Sequence, residues 1–438
     1  MQKIVIIGNG ISGITAARHI RKRSNHEILV ISKETDHFFS RTALMYIYMG
    51  HMRFEDTKPY EDWFWEKNRI NLRKGEVTRI DFDSRSLTIE LRNDDGSLSE
   101  EEIAYDRLIM ATGSRTRKFG WPGQDLKNVQ GLYSYQDLLS LESVSSRIDH
   151  AVIVGGGLIG IELAEMLHSR NKKVSILVRE ENYWDNVLPP DEARMINDQI
   201  RRNHINLHLL TDLEEIIGDD HGRVSGVRTK DGNEIPCQFV GLTAGVQPNI
   251  GWLDPNSPLE TDIGILVDSF LKTNLDDVYA IGDCAQLRHP PSGHQAIEAV
   301  WYTGRIMGET VAHTLTGHPV RYEPGPWFNS AKFINLEYQT YGVVPNRILP
   351  PYDSIYWQHD QKEVALRLVF HEDDRRITGI NALGLRLSMD VCLDWIQNQV
   401  PVEQVVASLQ DAHFDAEFSS RFYSRMNAHF SQTLNQSR

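Results

Sequence analysis

Two glycine-rich turns predict an α/β fold with two parallel sheets, because each lies between a β-branched run and a helix-forming run. The first is KIVIIGNGISG, from Lys3 to Gly13, and the second is AVIVGGGLIG, from Ala151 to Gly160. Both have the spacing Gly-x-Gly-x-x-Gly, which is typical of a Rossmann-like unit. A change of composition near residue 320, where Pro and aromatic residues cluster, predicts an additional α+β C-terminal domain.

The glycines of each turn have separate physical roles. The first permits a tight turn, the second lets phosphates approach the backbone, and the third lets the helix pack closely on the strand. The N-terminus of the helix adds free N–H groups for a pyrophosphate. Two turns in one chain therefore predict two bound dinucleotides. The glycines concerned are Gly8, Gly10, Gly13, Gly155, Gly157 and Gly160.

Length and composition indicate a globular protein of two or three domains, with 438 residues and 40% hydrophobic side chains. The net charge of −14 argues against nucleic acid as a main partner, because phosphate binding requires Lys and Arg clusters. The sequence enters a strand almost at once, without a signal-peptide pattern, and has no apolar run long enough to cross a bilayer. We therefore expect a cytoplasmic protein and consider a membrane association unlikely.

The three cysteines, Cys237, Cys284 and Cys392, are widely spaced. They form neither a Cys-x-x-Cys motif nor a cluster with His at zinc spacing, so the sequence supports no metal site, no iron–sulfur site and no disulfide scaffold.

Residues after the first turn are candidates for binding its dinucleotide. HEILVIS, residues 26–32, reads as a second parallel strand, and Glu34 is the carboxylate close after its end, where an acidic side chain can bind ribose hydroxyls. The alternative is a solvated loop residue. Arg41 lies among apolar and aromatic residues, which indicates an anion such as a pyrophosphate nearby, or else an ordinary salt bridge.

Two further strand ends carry small residues where backbone would lie against a cofactor. YDRLIMATG ends in Ala111, Thr112 and Gly113. Within LDDVYAIGDCAQ, residues 275–286, a short apolar strand ends in Gly282 and Asp283, and a carboxylate fixed there can accept hydrogen bonds from a polyol.

Several connecting segments have predicted secondary structure. Residues 60–70 are expected to be helical, 71–91 to form a hairpin, 92–102 to be a polar turn, and 294–315 to form a helix. The last helix would carry one apolar stripe, which is expected to dock on its own domain or on a second subunit as a homodimer contact; membrane or quinone-side contact is the less favoured reading. The stripe consists of Phe414, Phe418, Phe422, Met426 and Phe430.

The second unit has its own candidates. Its second strand ends at Val178 and is followed by Arg179, which can pair with the 2′-phosphate of NADPH, although Glu180 and Glu181 come next. Gly245 is the last residue of Thr-Ala-Gly, a strand end that is similar to Ala-Thr-Gly at residues 111–113.

Together KIVIIGNGISG, YDRLIMATGS, VIVGGGLIGIELAE and VYAIGDCAQ resemble the four ordered signatures of flavoproteins with two dinucleotide-binding domains, the pyridine nucleotide-disulfide oxidoreductase superfamily. The resemblance covers about the first three quarters of the chain. It implies an FAD-binding domain at 1–115 and 245–320, an NAD(P)H-binding domain at 116–244 and a C-terminal interface domain at 321–438.

The resemblance also implies roles for individual residues. Asp283 would bind the ribitol and phosphate region of FAD, and residues 111–113 would line the FAD. Glu162, which follows the second turn, would lie near the nicotinamide where it meets the flavin. The alternative for Glu162 is a carboxylate that only favours the helix dipole.

The subfamily is indicated by residues 39–50, FSRTALMYIYMG. This segment has no Cys, which argues against thiol–disulfide chemistry, and it is similar to the Tyr-x-Arg-x-x-Leu stretch of the rubredoxin and nitrite reductase branch. The similarity implies Arg41 beside the FAD and Tyr46 near the flavin edge, although Thr42 and Tyr46 stand where ferredoxin reductases have Pro and Lys. Trp327 falls where oxygenase-type ferredoxin reductases cover the flavin; simple core packing is the equal alternative.

These features predict an FAD-dependent NAD(P)H oxidoreductase that passes hydride from NAD(P)H to FAD and electrons to an acceptor. A small redox protein of the ferredoxin or rubredoxin type is the first choice of acceptor, and a quinone or other small molecule is the second. The alternative of another class is an FAD-binding structural or signalling protein with slow redox turnover.

Overall fold

The computed structural model describes residues 1–93, 95–414 and 422–436. The chain divides into two compact units. The first unit comprises residues 1–119, 130–147 and 245–324, and the second comprises 120–129, 148–244 and 325–438. The predicted division into FAD-binding, NAD(P)H-binding and C-terminal interface domains stays a prediction.

The first unit is built on a parallel sheet whose central strand precedes the first glycine turn. Lys3 pairs with Glu27 on one side, and Ile4 pairs with Arg107 on the other. Its β-branched residues are almost completely buried, in one core with residues of the helices Ile11–Arg23 and Trp301–Leu315 and of an antiparallel meander. In spatial order the strands are Val278–Ala280, Arg107–Met110, Lys3–Ile7, Glu27–Ser32 and Ile70–Lys74.

Two helices of this unit, Ile11–Arg23 and Trp301–Leu315, pack closely because small residues line their contact. A Cβ on Gly304 or Gly308 would lie 2.5 Å from an oxygen of Ser12. The other helices of the unit are Leu44–Tyr48, Trp63–Lys67 and Tyr135–Ser145, with 3-10 turns at Arg41–Ala43, Phe54–Thr57 and Gly282–Cys284.

The segment expected to be a hairpin and a polar turn differs from the prediction. Ile70–Lys74 is the edge strand of the parallel sheet, and an antiparallel meander follows at Glu76–Asp81, Ser86–Arg92 and Leu98–Ala104. The last strand is polar because it lies at an exposed edge, where only Ile103 is buried. Paired short strands complete the unit at Ser114–Thr116 with Val246–Pro248, and Ile265–Val267 with Ala285–Leu287.

Two predicted helices are shorter than expected. In residues 60–70 only Trp63–Lys67 is helical, because Ile70 already pairs with Ile28 in the sheet. The helix expected from residue 294 begins at Trp301. Before it, the buried Glu298 carboxylate accepts hydrogen bonds from the backbone N of Gln295 and from Thr303 Oγ1, which holds the segment in a non-helical turn.

The second unit contains another parallel sheet and an antiparallel one. The parallel sheet carries the second glycine turn after its strand His150–Val154, with helices Leu158–Ser169 and Pro190–Arg202. Beside it lie the antiparallel strands Leu213–Gly218, Val224–Thr229 and Glu234–Pro236. The strands of the parallel sheet are, in order, Asn206–His208, Lys173–Leu177, His150–Val154, Phe239–Leu242 and Val129–Gln130.

The C-terminal part of the second unit is an antiparallel sheet packed on helices. The helices Met389–Gln397, Val402–Ala407 and Tyr423–Gln436, with a 3-10 turn at Leu409–Ala412, supply buried residues to one core together with the sheet. The strands are, in spatial order, Phe328–Phe333, Leu336–Gly342, Ile377–Leu383, Ala365–His371 and Tyr352–Gln358.

The apolar stripe predicted for the last helix is only partly correct. The helix begins at Tyr423, so Phe414 and Phe422 lie before it, and Phe414 is 66% exposed. Phe418 lies outside the described residues. Met426, Phe430 and, one helical step further, Leu434 are buried in the C-terminal core. These side chains are therefore used in packing within the unit.

Over the described ranges, no helix combines the length and the apolar character that a bilayer crossing requires.

Candidate dinucleotide-binding sites

The first glycine turn has the space and the conformation that a pyrophosphate site requires. Gly8 has φ +114°, and a Cβ there would overlap the carbonyl oxygen of Ala111. A Cβ on Gly13 would overlap the Gly8 oxygen, whereas a Cβ on Gly10 would meet no heavy atom within 4 Å. The outer glycines therefore permit the turn and the helix–strand contact, and the middle one borders open space at a helix N-terminus.

The second turn repeats this arrangement. Gly155 has φ +121°, and a Cβ there would lie 2.6 Å from the backbone N of Ala244. A Cβ on Gly160 would lie 2.7 Å from the Gly155 oxygen, whereas at Gly157 the nearest atom is 3.8 Å away, on Thr243. The residues of both turns thus fit a dinucleotide pyrophosphate.

The predicted residues of the first unit lie at one edge of its sheet. Glu34, residues 111–113, and Gly282 and Asp283 follow strands that run parallel to Lys3–Ile7, so they come after the same carboxyl ends. Thr112 Oγ1 donates to the backbone oxygen of Asn249 at 3.0 Å, which ties this edge to the loop beyond Gly245. Burial raises the pKa of Asp283, a residue whose exposure is intermediate.

Glu34 and Arg41 are brought together as a bidentate ion pair. Arg41 Nη1 and Nη2 donate to the two carboxylate oxygens of Glu34 at 2.8 and 2.6 Å. The backbone N of Tyr135 also donates to Glu34, at 2.8 Å. A carboxylate has about four acceptor positions, so Glu34 keeps capacity for a further donor such as a ribose hydroxyl.

Tyr133 is a residue of this edge that the sequence reasoning missed. Its hydroxyl donates to Asp283 Oδ2 at 3.2 Å and accepts from the backbone N of Ser114 at 2.8 Å. The Tyr133 hydroxyl also lies close to Gly113, because a Cβ on Gly113 would be 2.8 Å from the hydroxyl oxygen. No short motif marks Tyr133, since it meets these residues only through the fold.

Glu162 lies in the first turns of the helix after the second glycine turn, half-buried. Burial, and then the charge of Glu165, raise the pKa of the Glu162 carboxyl to about 7. Glu165 is itself paired with Lys332 Nζ at 3.0 Å. Glu162 can therefore exchange a proton near neutral pH, which is the range in which a general acid or base is effective.

Tyr183 is a second residue that the sequence reasoning missed. It is fully buried, and its hydroxyl donates to the Gly157 oxygen at 2.6 Å. This hydrogen bond holds the backbone of the second glycine turn in place. The nearby aromatic run, Tyr183 and Trp184, is a signal that could have drawn attention to it.

Arg179 lies on the surface of the second unit. Its side chain is 74% exposed, and its Nε donates to Glu180 at 2.7 Å. A 2′-phosphate at this position would therefore compete with a carboxylate for the guanidinium.

The remaining predicted residues are placed in different parts of the chain. Tyr46 lies in the helix Leu44–Tyr48, half-buried, with its ring stacked 6.1 Å from His51. Gly245 belongs to the first unit and borders open space. Trp327 belongs to the second unit, directly before the strand Phe328–Phe333, and is half-buried.

The three cysteines are free and buried. Burial raises the pKa of Cys237 and Cys392 to about 12 and also raises the pKa of Cys284, so each thiol is protonated at neutral pH. A protonated buried thiol is a poor nucleophile.

Comparison with known proteins agrees with this arrangement. The sequence model of the family described as pyridine nucleotide-disulphide oxidoreductase matches residues 2–304. The ferredoxin reductase subunit of a 5,5'-dehydrodivanillate O-demethylase from Sphingobium is 29% identical over 344 residues, 77% of this chain and 81% of the relative. A ferredoxin reductase from Rhodopseudomonas palustris superposes with a TM-score of 0.77 at 23% identity, covering 87% of this chain and 91% of that one.

A longer relative is the electron transfer subunit of assimilatory nitrate reductase from Bacillus subtilis. It is 28% identical over 314 residues, which is 71% of this chain but only 39% of the relative. The chain therefore spans about two fifths of the length of this protein.

Proposed function

The chain belongs to the pyridine nucleotide-disulphide oxidoreductase family, and we propose that it is an FAD-dependent NAD(P)H oxidoreductase that works without a redox-active disulfide. The observation that carries this proposal is the repeated glycine turn, whose middle glycine at a helix N-terminus borders open space in the first copy and meets only the Thr243 oxygen at 3.8 Å in the second. The burial of the cysteines supports a function without a redox-active disulfide, because all three thiols are buried and none forms a disulfide.

The first unit is the FAD site of this proposal. Its glycine turn holds the pyrophosphate through backbone N–H groups, and Glu34 accepts hydrogen bonds from the adenosine ribose. Arg41 keeps that carboxylate in position through the bidentate pair. Asp283 binds the ribitol and phosphate region, and residues 111–113, Gly245 and Gly282 line the FAD beside it.

The second unit is the NAD(P)H site. Its glycine turn holds the second pyrophosphate, and Arg179 is the residue that would favour NADPH. Glu162 exchanges a proton or orients the nicotinamide, for which its raised pKa suits it. Tyr46 is proposed to lie near the flavin edge, and the role of Trp327 stays a prediction.

FAD supplies the redox chemistry when bound, since it takes hydride from a nicotinamide and passes electrons on singly or in pairs. The protein binds and orients both cofactors. The acceptor is a small redox protein of the ferredoxin or rubredoxin type, as the name of the Sphingobium relative suggests for that protein.

The alternative functions differ from the proposed one in the electron acceptor or in the rate of turnover. A quinone reductase drew its support from the C-terminal apolar stripe, but Met426 and Phe430 are buried in the core of their own unit. A structural flavoprotein would bind FAD and turn over slowly. A homodimer through the C-terminal region and a cytoplasmic location stay predictions.

An anaerobic visible spectrum of the purified protein, titrated separately with NADH and NADPH, tests the proposal. We expect an oxidised flavin spectrum that bleaches rapidly with one donor, and then recovers when a [2Fe–2S] ferredoxin or rubredoxin is added. A flavin that neither donor reduces would favour the structural alternative. A colourless protein that takes up no FAD would refute the proposal.

A further inference from the structure

We propose that Tyr133 is a further flavin-binding residue of the first unit, whose hydroxyl positions the Asp283 carboxylate toward the cofactor. This inference rests on the proposed function, and it concerns a residue that no glycine motif or strand-end signature includes. Tyr133 lies in the loop before the helix Tyr135–Ser145.

The position of Tyr133 is the first argument. Its hydroxyl lies between two strand ends of the sheet, where it accepts from the backbone N of Ser114 at 2.8 Å and donates to Asp283 Oδ2 at 3.2 Å. The hydroxyl also approaches the Cβ position of Gly113 to 2.8 Å, so the phenol lies against the segment predicted to line the FAD. A larger residue at Gly113 would collide with it.

The direction of the hydrogen bonds follows from chemistry. The backbone N of Ser114 can only donate, so the phenol oxygen accepts there and its proton is directed to the carboxylate. Burial, and then the charge of Asp283, raise the pKa of Tyr133, which keeps the phenol protonated and able to donate. The bond engages one carboxylate oxygen and leaves acceptor capacity on the other for a polyol hydroxyl of the cofactor.

Arg41 holds Tyr133 from the other side. Its Nη1 donates to the Tyr133 backbone oxygen at 2.5 Å, and its guanidinium carbon lies 4.6 Å from the centre of the Tyr133 ring. Because Arg41 also holds Glu34, one arginine orders both the carboxylate predicted to bind ribose and the tyrosine that orders Asp283. Tyr133 thus connects the two carboxylates predicted to bind the cofactor.

A double-mutant cycle on the holoprotein tests this role. The variants are Tyr133→Phe, Asp283→Ala and the pair, and the measurement is the rate at which FAD is released on dilution, followed by the rise of flavin fluorescence. Loss of a hydrogen bond to a charged group should speed release by about tenfold in Tyr133→Phe. The double variant should release FAD about as fast as Asp283→Ala alone, since Asp283→Ala removes the acceptor of the same bond that Tyr133→Phe removes.

Tyr105→Phe is the matched control, because Tyr105 is a buried tyrosine of the same unit whose hydroxyl has no hydrogen-bond partner among the described residues. It should release FAD at the wild-type rate. Wild-type release from Tyr133→Phe, or additive effects in the double variant, would overturn the inference while leaving the proposed function intact. Failure of the wild-type protein to bind FAD would instead refute the proposed function.

Discussion

Glu162 shows how burial and a neighbouring carboxylate can raise the pKa of a carboxyl group to near neutral pH. Its position after the second glycine turn was predicted from the sequence, but the pKa of about 7 depends on burial and on Glu165 one helical turn later. The folded-state pKa is raised, so the folded protein binds more protons than the unfolded chain between about pH 4.5 and 7. Stability is therefore lost as the pH rises through this range.

Glu162→Gln removes that pH-dependent penalty. The free energy of unfolding of the wild-type protein should fall by roughly 3 kcal/mol more than that of the variant between pH 4 and 8. Denaturant unfolding at both pH values checks this. The same substitution at Glu100, which is exposed on an edge strand, is the control and should follow the wild-type pH dependence. A parallel fall in both Glu162→Gln and wild type would contradict the raised pKa.

Arg179 and Glu180 should act in opposite directions on the choice of nicotinamide donor. Arg179→Ala should raise the Kd of NADPH by about tenfold and leave that of NADH nearly unchanged, because only NADPH has a 2′-phosphate to pair with. Glu180→Gln should strengthen NADPH binding, since it removes the carboxylate that Arg179 contacts. Titration of flavin reduction with both donors measures this, and equal effects of Arg179→Ala on NADH and NADPH would exclude the predicted role.

The first glycine turn combines residues that are needed for folding with one that is needed for binding. Gly13→Ala places a methyl group on the Gly8 oxygen and 3.1 Å from Ile6 Cγ2. We expect a loss of about 1–3 kcal/mol in stability, as for other overpacked sites. The unfolding of the apoprotein measures it, and an unchanged midpoint would show that the helix can shift away from the strand at no cost.

Gly10→Ala is the matched change in the same turn. Its Cβ meets no heavy atom within 4 Å, so the apoprotein should unfold as the wild type does. FAD retention should nevertheless fall, because the methyl group occupies the space proposed for the pyrophosphate. Full retention of FAD in this variant would show that the pyrophosphate does not approach Gly10.

Elements with weak local signals are those that the sequence predicted least well. The alternation of residues 71–91 predicts a hairpin, yet the strand Ile70–Lys74 pairs in parallel at the edge of the first sheet. The polar composition of residues 92–102 predicts a turn, yet Leu98–Ala104 is a strand. Edge strands bury few side chains, so their composition reports solvent exposure rather than pairing.

In the second unit a buried ion pair joins the helix Pro190–Arg202 to the C-terminal sheet. Arg367, in the strand Ala365–His371, is 5% exposed, and its Nε donates to Glu192 Oε1 at 2.7 Å. Its Nη2 also donates to Asp191 at 2.7 Å. Glu192 belongs to the helix Pro190–Arg202 and is completely buried, so neither partner can be solvated if the other is removed.

Arg367→Met should therefore cost about 3–5 kcal/mol, because it leaves the Glu192 carboxylate buried without a charged partner. Thermal or denaturant unfolding of the purified protein measures the loss. Arg223→Met is the control, since Arg223 pairs with Asp219 on the surface of the same unit and should change the midpoint little. Equal midpoints for the two variants would show that the buried pair does not stabilise this unit.

The sequence predicts the two glycine turns, the strands that precede them and the order of the four signatures. Each of these features depends on steric and hydrogen-bonding requirements within about ten residues. The family match over residues 2–304 confirms the interpretation of these signatures. The contacts among distant residues could not be predicted. Tyr133 meets Asp283 across 150 positions, and Arg367 meets Glu192 across 175. Such contacts depend on how sheets and loops pack, and only the tertiary structure decides which polar side chains share a buried space.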